Sequence, residues 1–191
     1  MILFKQKYRI ESTRLRDWDY SDPGYYFVTI CTKDRICYFG KIVHSQVVLS
    51  DIGMIVFEEW KETEKKRHNI KLDSWIVMPN HIHGIIIITK KYNCCVETSH
   101  RDVSTCQNVS ARRDVSTEKL KPNTLGSIIG QFKSVCTKKI RQIGNDKFAW
   151  QSRFYDHIIR NDQSLNNIRQ YIQYNPMRWD MDRNNPDGLT I

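Results

Sequence analysis

The chain has 191 residues, enough for a single domain that buries its own core without disulfides or metal staples. It carries 30 Lys and Arg against 21 Asp and Glu, a formal net charge of +9, which favours a polyanionic partner such as nucleic acid over a merely basic, soluble surface. No apolar run approaches the roughly 18 residues of a membrane span, and the six cysteines form no C-x-x-C pair, so we expect a cytoplasmic protein without a membrane partner, a disulfide framework or a zinc site.

The first part of the chain predicts a basic arm followed by a strand, a short hairpin and a helix. Residues 1–23 form the arm, and GYYFVTICT at residues 24–32, which follows the turn signal SDPG, is rich in aromatic and β-branched residues. Residues 36–43 and 45–50 indicate a hairpin or edge extension. Ser50 then predicts an N-cap for a helix over residues 51–67 with a helical apolar row.

Two β-rich runs, residues 70–79 and 81–89, meet at Pro79 and Asn80. Their length and the turn residues between them predict an antiparallel hairpin of central strands.

Residues 92–122 differ in composition from the rest of the chain. They are rich in Ser, Thr, Asn, Arg and Asp, lack apolar periodicity, and contain RDVST twice, at residues 101–105 and 113–117. Two short copies cannot build a stacking repeat, so we interpret the segment as a low-complexity, disordered surface insertion. A mobile basic clamp is the functional alternative.

The last third of the chain predicts a helix, a strand and a final helix. Residues 124–144 carry an apolar helical stripe, residues 154–159 form an aromatic strand, and Ser164 can cap a helix that continues to Tyr174 and ends near Pro176. The order β, α, β-β, α, β, α predicts an α+β domain. Its simplest arrangement is a ferredoxin-like antiparallel sheet with helices packed on one face.

Two histidines stand at the start of the second strand of the hairpin. Side chains alternate along a strand, so His81 and His83 share one face, about 7 Å apart, and can reach one ion. Taken alone, a His-x-His pair at a strand start is more often solvated than metal-binding.

Further donors are available on the final helix. Tyr171 and Asn175 stand at positions i and i+4 beside its apolar stripe, whereas Tyr174 falls on the solvent side. An amide oxygen with two imidazoles suits Mg²⁺ or Mn²⁺. A lone tyrosine in this position is usually a packed residue at the edge of a core.

Four stretches occur in a specific order: RLRDWDYSDPGYYFVTICT, MPNHIHGIIII, WQSRFYDHIIRN and IRQYIQYNP. In this order the chain resembles the REP-associated tyrosine transposases, a branch of the single-tyrosine HUH transposases, over nearly its whole length apart from residues 92–122. The resemblance implies that His81 and His83 are the HUH pair, that Asn175 is the third metal ligand and that Tyr171 is the nucleophile. Tyr155 fits less well, because the family tyrosine lies on the following helix.

The resemblance also implies a reaction and a substrate. Such an enzyme nicks single-stranded or hairpin DNA with a divalent metal, links its tyrosine to the 5′ phosphate and transfers the strand to another 3′-OH, here on hairpin-forming repeats. Two alternatives remain: a non-catalytic or domesticated DNA-binding protein of the same fold, and a phosphodiesterase without a covalent intermediate. Family members occur as monomers and dimers, and either state is compatible with the sequence.

Basic and aromatic residues outside the metal pair are candidates for DNA binding. Lys and Arg contact phosphates while unstacked bases stack on aromatic rings, although each residue taken singly is more often a solvated charge or a packed ring. The two arginines of the arm lie in the stretch that resembles the family's N-terminal DNA-reading segment. The candidates are Arg14, Arg16, Trp18, Lys133, Lys138, Lys139 and Arg153.

Overall fold

The computed structural model describes residue 15, residues 18–90 and residues 123–188, together with two short paired strands at Leu3–Phe4 and Lys7–Tyr8. Arg14, Arg16 and the predicted insertion at residues 92–122 lie outside the described residues. Among the helices of the described part, none combines the length and the apolar character that crossing a membrane requires.

Four antiparallel strands form the main sheet: β1 (Gly24–Cys31), β4 (Ile70–Val77), β5 (His81–Ile88) and β6 (Tyr155–Ile159). Their spatial order is β4-β5-β1-β6, the order of a ferredoxin-like sheet. The predicted α+β fold class is confirmed. Of the two strands predicted to be central, β5 lies inside the sheet and β4 at its edge, because the crossover from β1 places β5 beside β1.

The predicted short hairpin is present as a separate two-stranded sheet. Strands β2 (Gly40–Val43) and β3 (Gln46–Leu49) are joined by His44 and Ser45, whose φ angles are 47° and 60°. Two consecutive positive φ angles suit the right-handed twist of a two-residue hairpin.

The described residues contain three α-helices, each begun by a side-chain cap. Helix α1 (Asp51–Lys65) starts at Ser50, and α2 (Leu125–Gln142) starts at Thr124. Helix α3 (Asp162–Tyr174) begins earlier than predicted, because the side chain of Asn161 accepts a hydrogen bond from the backbone N–H of Ser164. Ser164 is therefore in the first turn of α3 and is not its cap.

The helices divide between the two faces of the sheet. Helices α1 and α2 pack together over the face that carries Ile82 and Ile86, and bury the main core there, including Trp60 and Phe132. Helix α3 crosses the opposite face, where a smaller cluster contains Phe27, Ile85, Ile159, Leu165 and Ile172. The histidine face is therefore covered by α3 alone among the three helices.

Gly84 follows the two histidines and faces the main core. A Cβ atom at this position would lie 2.7 Å from Cζ2 of Trp60 and 3.2 Å from Cβ of Trp75. Because a packed core tolerates added volume poorly, we expect Gly84→Ala to lower the free energy of unfolding by about 1–3 kcal/mol, as measured by urea denaturation.

Gly130 offers a matched control within α2. A Cβ there meets nothing within 4 Å, so Gly130→Ala should stabilise the helix by about 0.5–1 kcal/mol. Equal effects of the two substitutions would contradict the close packing described at Gly84.

Candidate metal and nucleophile site

His81 and His83 lie side by side on the face of β5 that α3 covers. Their ring centroids are 4.4 Å apart, and the two residues are 0% and 1% exposed. The interpretation of the pair as a solvated strand start is therefore wrong. Trp179, in the short 3-10 helix Pro176–Met181 that follows α3, stacks at 6.1 Å from His81 and helps to exclude water from the pair.

The tautomer of His81 follows from its neighbour Asn80. The Asn80 side-chain amide donates to the carbonyl oxygens of Arg35 and Asn184 at 2.8 and 2.7 Å, which identifies Oδ1 as the atom that is 2.8 Å from His81 Nδ1. Nδ1 must therefore carry the ring proton and donate a hydrogen bond to this oxygen. The lone pair of His81 Nε2 is left facing the site, the arrangement that metal-binding histidines commonly show.

His83 is oriented in the same way by β1. Its Nδ1 is 2.9 Å from Oγ1 of Thr29, its ring stacks on Phe27, and its Nε2 is 3.2 Å from the hydroxyl of Tyr171. When Nδ1 donates a hydrogen bond to Thr29, Nε2 can accept a hydrogen bond from the hydroxyl of Tyr171.

Helix α3 brings one of its two tyrosines to the histidines. Exposure alone does not distinguish Tyr171 (41%) from Tyr174 (45%). The hydroxyl of Tyr171 nevertheless points to His83, and its ring packs edge-on against Phe27. A bidentate ion pair between Arg169 and Asp73, with contacts of 2.8 and 2.6 Å, ties this part of α3 to the edge strand.

Asp182 joins the site from the C-terminal segment and was missed by the sequence reasoning. One ligand atom each of His81, His83 and Asp182 lie within 4.8 Å of one another, and Asn175 Nδ2 donates to Asp182 Oδ2 at 3.1 Å. No periodicity could have indicated this residue, because the helical phase of α3 is lost at Pro176. The only sign of Asp182 in the sequence was that an acidic residue follows shortly after α3.

These donors fit a divalent cation. The buried atoms His81 Nε2 and Asn175 Oδ1 have no hydrogen-bond partner, and His81 Nε2 faces Asp182 Oδ2 at 3.9 Å without a proton between them. Buried lone pairs without a partner are costly, and a metal ion bound beside them would satisfy them. Two imidazoles, a carboxylate and an amide oxygen form a mixed set suited to Mn²⁺ and, through its oxygens, to Mg²⁺.

Burial also controls the protonation of the site. It lowers the pKa of His81 to about 3, with the positive charges of Arg183 and Arg35 acting in the same direction, and it lowers the pKa of His83 well below its usual value. Burial raises the pKa of Tyr171, and the carboxylate of Asp182 adds to this effect. Both imidazoles are therefore neutral and ready to bind a metal at neutral pH, whereas the phenol is protonated.

Comparisons with known proteins identify relatives in sequence and in fold, although no protein-family model matches the chain. The chain is 34% identical over 174 residues to an uncharacterized protein of Haemophilus influenzae, covering 90% of this chain and 91% of that protein. A second H. influenzae protein, described as a "Putative REP-associated tyrosine transposase", is 24% identical over 160 residues, which cover 84% of this chain and 74% of the relative.

The fold matches a solved structure of a REP-associated tyrosine transposase bound to a REP hairpin. The TM-score is 0.56 at 16% identity, and the match covers 89% of this chain and 74% of that one. The chain belongs to one family with the uncharacterized H. influenzae protein, and it resembles the REP-associated tyrosine transposases in both sequence and fold. The resemblance inferred from the sequence motifs is confirmed, and it supports a transposase-like role in DNA processing.

Several of the predicted DNA-binding residues make contacts within the protein. Trp18 donates from Nε1 to the hydroxyl of Tyr26 at 3.1 Å and packs against the main core. Lys139 forms an ion pair with the buried carboxylate of Glu59, which Lys66 also contacts. Burial alone would raise the pKa of Glu59, but the two ammonium groups together hold it below its usual range. Lys139 therefore has a structural partner on the α1–α2 face, away from the histidines.

The other described candidates line two surface depressions. Lys133 and Lys138 line an open cleft of about 610 Å³ on α2, where Lys133 donates to the carbonyl oxygens of Gln151 and Arg153 at 2.7 and 3.2 Å. Burial lowers the pKa of Lys133 to about 8. The side chain of Arg153 lines a different, smaller pocket beside the histidine site. The contribution of each of these residues to DNA binding stays a prediction.

The two buried histidines should make the stability of the metal-free protein depend on pH. Their pKa values in the folded state lie below the ordinary 6.5, so below about pH 6.5 the unfolded chain binds protons that the folded chain does not. In EDTA, we expect the free energy of unfolding to fall from about pH 7 to 5, with a slope approaching about 1.4 kcal/mol per pH unit for each histidine. Urea denaturation at several pH values in this range measures the change in the free energy of unfolding.

The His81→Ala variant is the control for this effect and should show a shallower slope. A free energy of unfolding that does not change between these pH values, or a variant with the same slope as the natural sequence, would contradict the neutral buried pair.

Proposed function

We propose that this protein is a metal-dependent DNA endonuclease and strand transferase. It nicks single-stranded DNA through a 5′-phosphotyrosine intermediate on Tyr171, and its substrates are hairpin-forming, REP-like repeats. The observation that carries the proposal is the contact of the Tyr171 hydroxyl with His83 Nε2, at the mouth of a buried donor set of His81, His83, Asn175 and Asp182.

The chemistry divides between the donor set and the tyrosine. A divalent cation held by the donors would polarise the scissile phosphate and neutralise the charge of the transition state. The oxygen of Tyr171 attacks the phosphorus and the bond from phosphorus to the 3′ oxygen breaks; the phenol loses its proton, and the leaving 3′ oxygen takes up one. The products are a strand with a free 3′-OH and a strand whose 5′ phosphate is linked to the protein. The phosphotyrosyl link is itself a phosphodiester. The 3′-OH of another strand can therefore attack it and rejoin the DNA without ATP.

Site geometry and charge agree with a DNA substrate. The hydroxyl of Tyr171 is held inside by His83 while the residue remains partly exposed, so a strand can approach it from solvent. The net charge of +9 favours a polyanion, and the related fold was captured on a REP hairpin.

End-labelled hairpin oligonucleotides with single-stranded flanks test this proposal. With Mn²⁺ or Mg²⁺, a label at the 3′ end should become attached to the protein, and a label at the 5′ end should leave as a shorter, free strand. EDTA should abolish both products. The direction of label transfer is specific to a 5′-phosphotyrosine link.

The other outcomes of the same assay separate the alternatives. Cleavage with both labels free of protein would indicate a hydrolytic phosphodiesterase. Hairpin binding without any cleavage, with either metal, would indicate a non-catalytic DNA-binding protein. Either result would contradict the proposed function.

A further inference from the structure

A second polar pocket shares a wall with the histidine site. It has a volume of about 200 Å³ and lies on the β1–β6 side of the sheet. Thr29 belongs to both sites, because it lines the pocket and its Oγ1 contacts His83 Nδ1. Cys31, two residues along β1, also lines the pocket and lies opposite His81 in the ladder. The pocket therefore lies directly beside the histidine site.

Three arginines from three different segments line this pocket. Arg35 lies in the turn after β1, Arg153 in the loop before β6, and Arg183 directly after Asp182. Among the described residues that line the pocket, none is acidic. Three guanidinium groups that line one pocket are suited to binding phosphate oxygens.

Hydrogen bonds hold this arrangement in place. The Arg35 guanidinium donates to the backbone carbonyl of Arg183, and the Asn80 amide that orients His81 also binds the carbonyls of Arg35 and Asn184. The pocket and the donor set are therefore parts of one connected structure.

An exposed aromatic ring completes the pocket. Tyr155 pairs with Thr29 across the sheet, lines the pocket and is 45% exposed, with its ring edge-on to Phe27 at 6.3 Å. An accessible ring beside cationic groups is the combination that binds an unstacked base and its phosphate. The volume is below the usual 300–1,000 Å³ of small-molecule sites, so the pocket can enclose part of one nucleotide and is too small for a duplex.

We infer that this pocket binds the nucleotide next to the scissile phosphate, with Arg35, Arg153 and Arg183 on its phosphate and Tyr155 on its base. The inference rests on the proposed function, because it assumes a single strand that crosses the histidine site. The pocket is then a binding subsite for the single strand that flanks the hairpin, separate from any contact with the hairpin stem.

Salt-dependent binding tests this subsite without the nicking reaction. All proteins carry Tyr171→Phe, divalent metal is left out, and fluorescence anisotropy measures the dissociation constant of a hairpin with single-stranded oligothymidine tails and of the same hairpin without tails. For the tailed hairpin, Arg35→Gln and Arg153→Gln should each reduce the slope of log K against log salt by about 0.7. For the tailless hairpin, neither should change it.

Two further variants separate charge from fold and from stacking. Arg35→Lys keeps the charge and should keep the slope, so a loss confined to Arg35→Gln reports a missing phosphate contact. Tyr155→Leu should weaken binding of the tailed hairpin about tenfold and leave the slope unchanged. Lys41→Gln removes an exposed charge on the β2–β3 hairpin and should resemble the parent protein.

The subsite is overturned if neither arginine variant changes the slope for the tailed hairpin, or if both hairpins lose affinity equally. Because the proteins in this assay cannot form the tyrosyl link, a failure of the nicking proposal leaves these slopes unaffected. The two failures are therefore distinguishable.

Discussion

Replacing Tyr171 with phenylalanine should abolish the covalent attachment of DNA, by roughly a thousandfold or more, while the protein still binds a divalent metal. Among the described residues, Tyr171 is the one tyrosine whose hydroxyl contacts either of the two buried histidines. Label transfer to the protein measures the first effect, and titration calorimetry with Mn²⁺ measures the second.

The metal titration carries additional information. When His83 Nδ1 donates to Thr29, the single lone pair of Nε2 accepts a hydrogen bond from the Tyr171 hydroxyl, and a bound ion would require the same lone pair. Removing the hydroxyl removes a competitor, so Tyr171→Phe should bind Mn²⁺ as tightly as the natural sequence or more tightly. A residue needed only to hold the fold would instead weaken metal binding when it is replaced.

Tyr174 provides the matched control on the same helix. It has similar exposure, but its described contacts do not include the histidines. Tyr174→Phe should form the adduct at the rate of the natural sequence. An adduct that persists undiminished in Tyr171→Phe, or that disappears in Tyr174→Phe, would contradict the assignment of the nucleophile.

Replacing either His81 or His83 with alanine should lower the affinity for Mn²⁺ by at least about a hundredfold and abolish cleavage. Each change removes a neutral, buried imidazole whose lone pair is already directed into the site by Asn80 or Thr29. It also leaves a buried polar partner unpaired, so the free energy of unfolding should fall by about 1–3 kcal/mol. Calorimetry and urea denaturation measure the two effects.

His68 is the control for these variants, because it is exposed in the turn after α1. His68→Ala should retain metal affinity, cleavage and stability. Unchanged Mn²⁺ affinity in His81→Ala and His83→Ala, in proteins that remain folded, would exclude this pair as the metal site.

The sequence predicted the elements of the fold well because their signals are local. Caps, turn residues and apolar periodicity identified the main strands and the helices to within a few residues. At the start of α3, Asn161 and Ser164 are both good caps, and the choice between them depends on which side chain reaches the free N–H groups. Local patterns do not contain that information.

Features that depend on which distant segments of the chain pack together could not be predicted from local sequence patterns. Asp182 reaches the site after Pro176 has ended α3 and a 3-10 helix has changed the direction of the chain. Lys139 pairs with Glu59 only because α1 and α2 pack against each other. The packing of α3 on the histidine face, opposite α1 and α2, likewise follows from tertiary contacts between its apolar stripe and Ile85.

Mapping the residue linked to DNA is the most direct test of the central claim. Trypsin should release a peptide spanning residues 170–178, which contains both Tyr171 and Tyr174, so fragmentation in the mass spectrometer must place the nucleotide on one of them. We predict a 5′-phosphonucleotide on Tyr171. A nucleotide on Tyr174, on Tyr155 or on any other residue would contradict the mechanism proposed for this site.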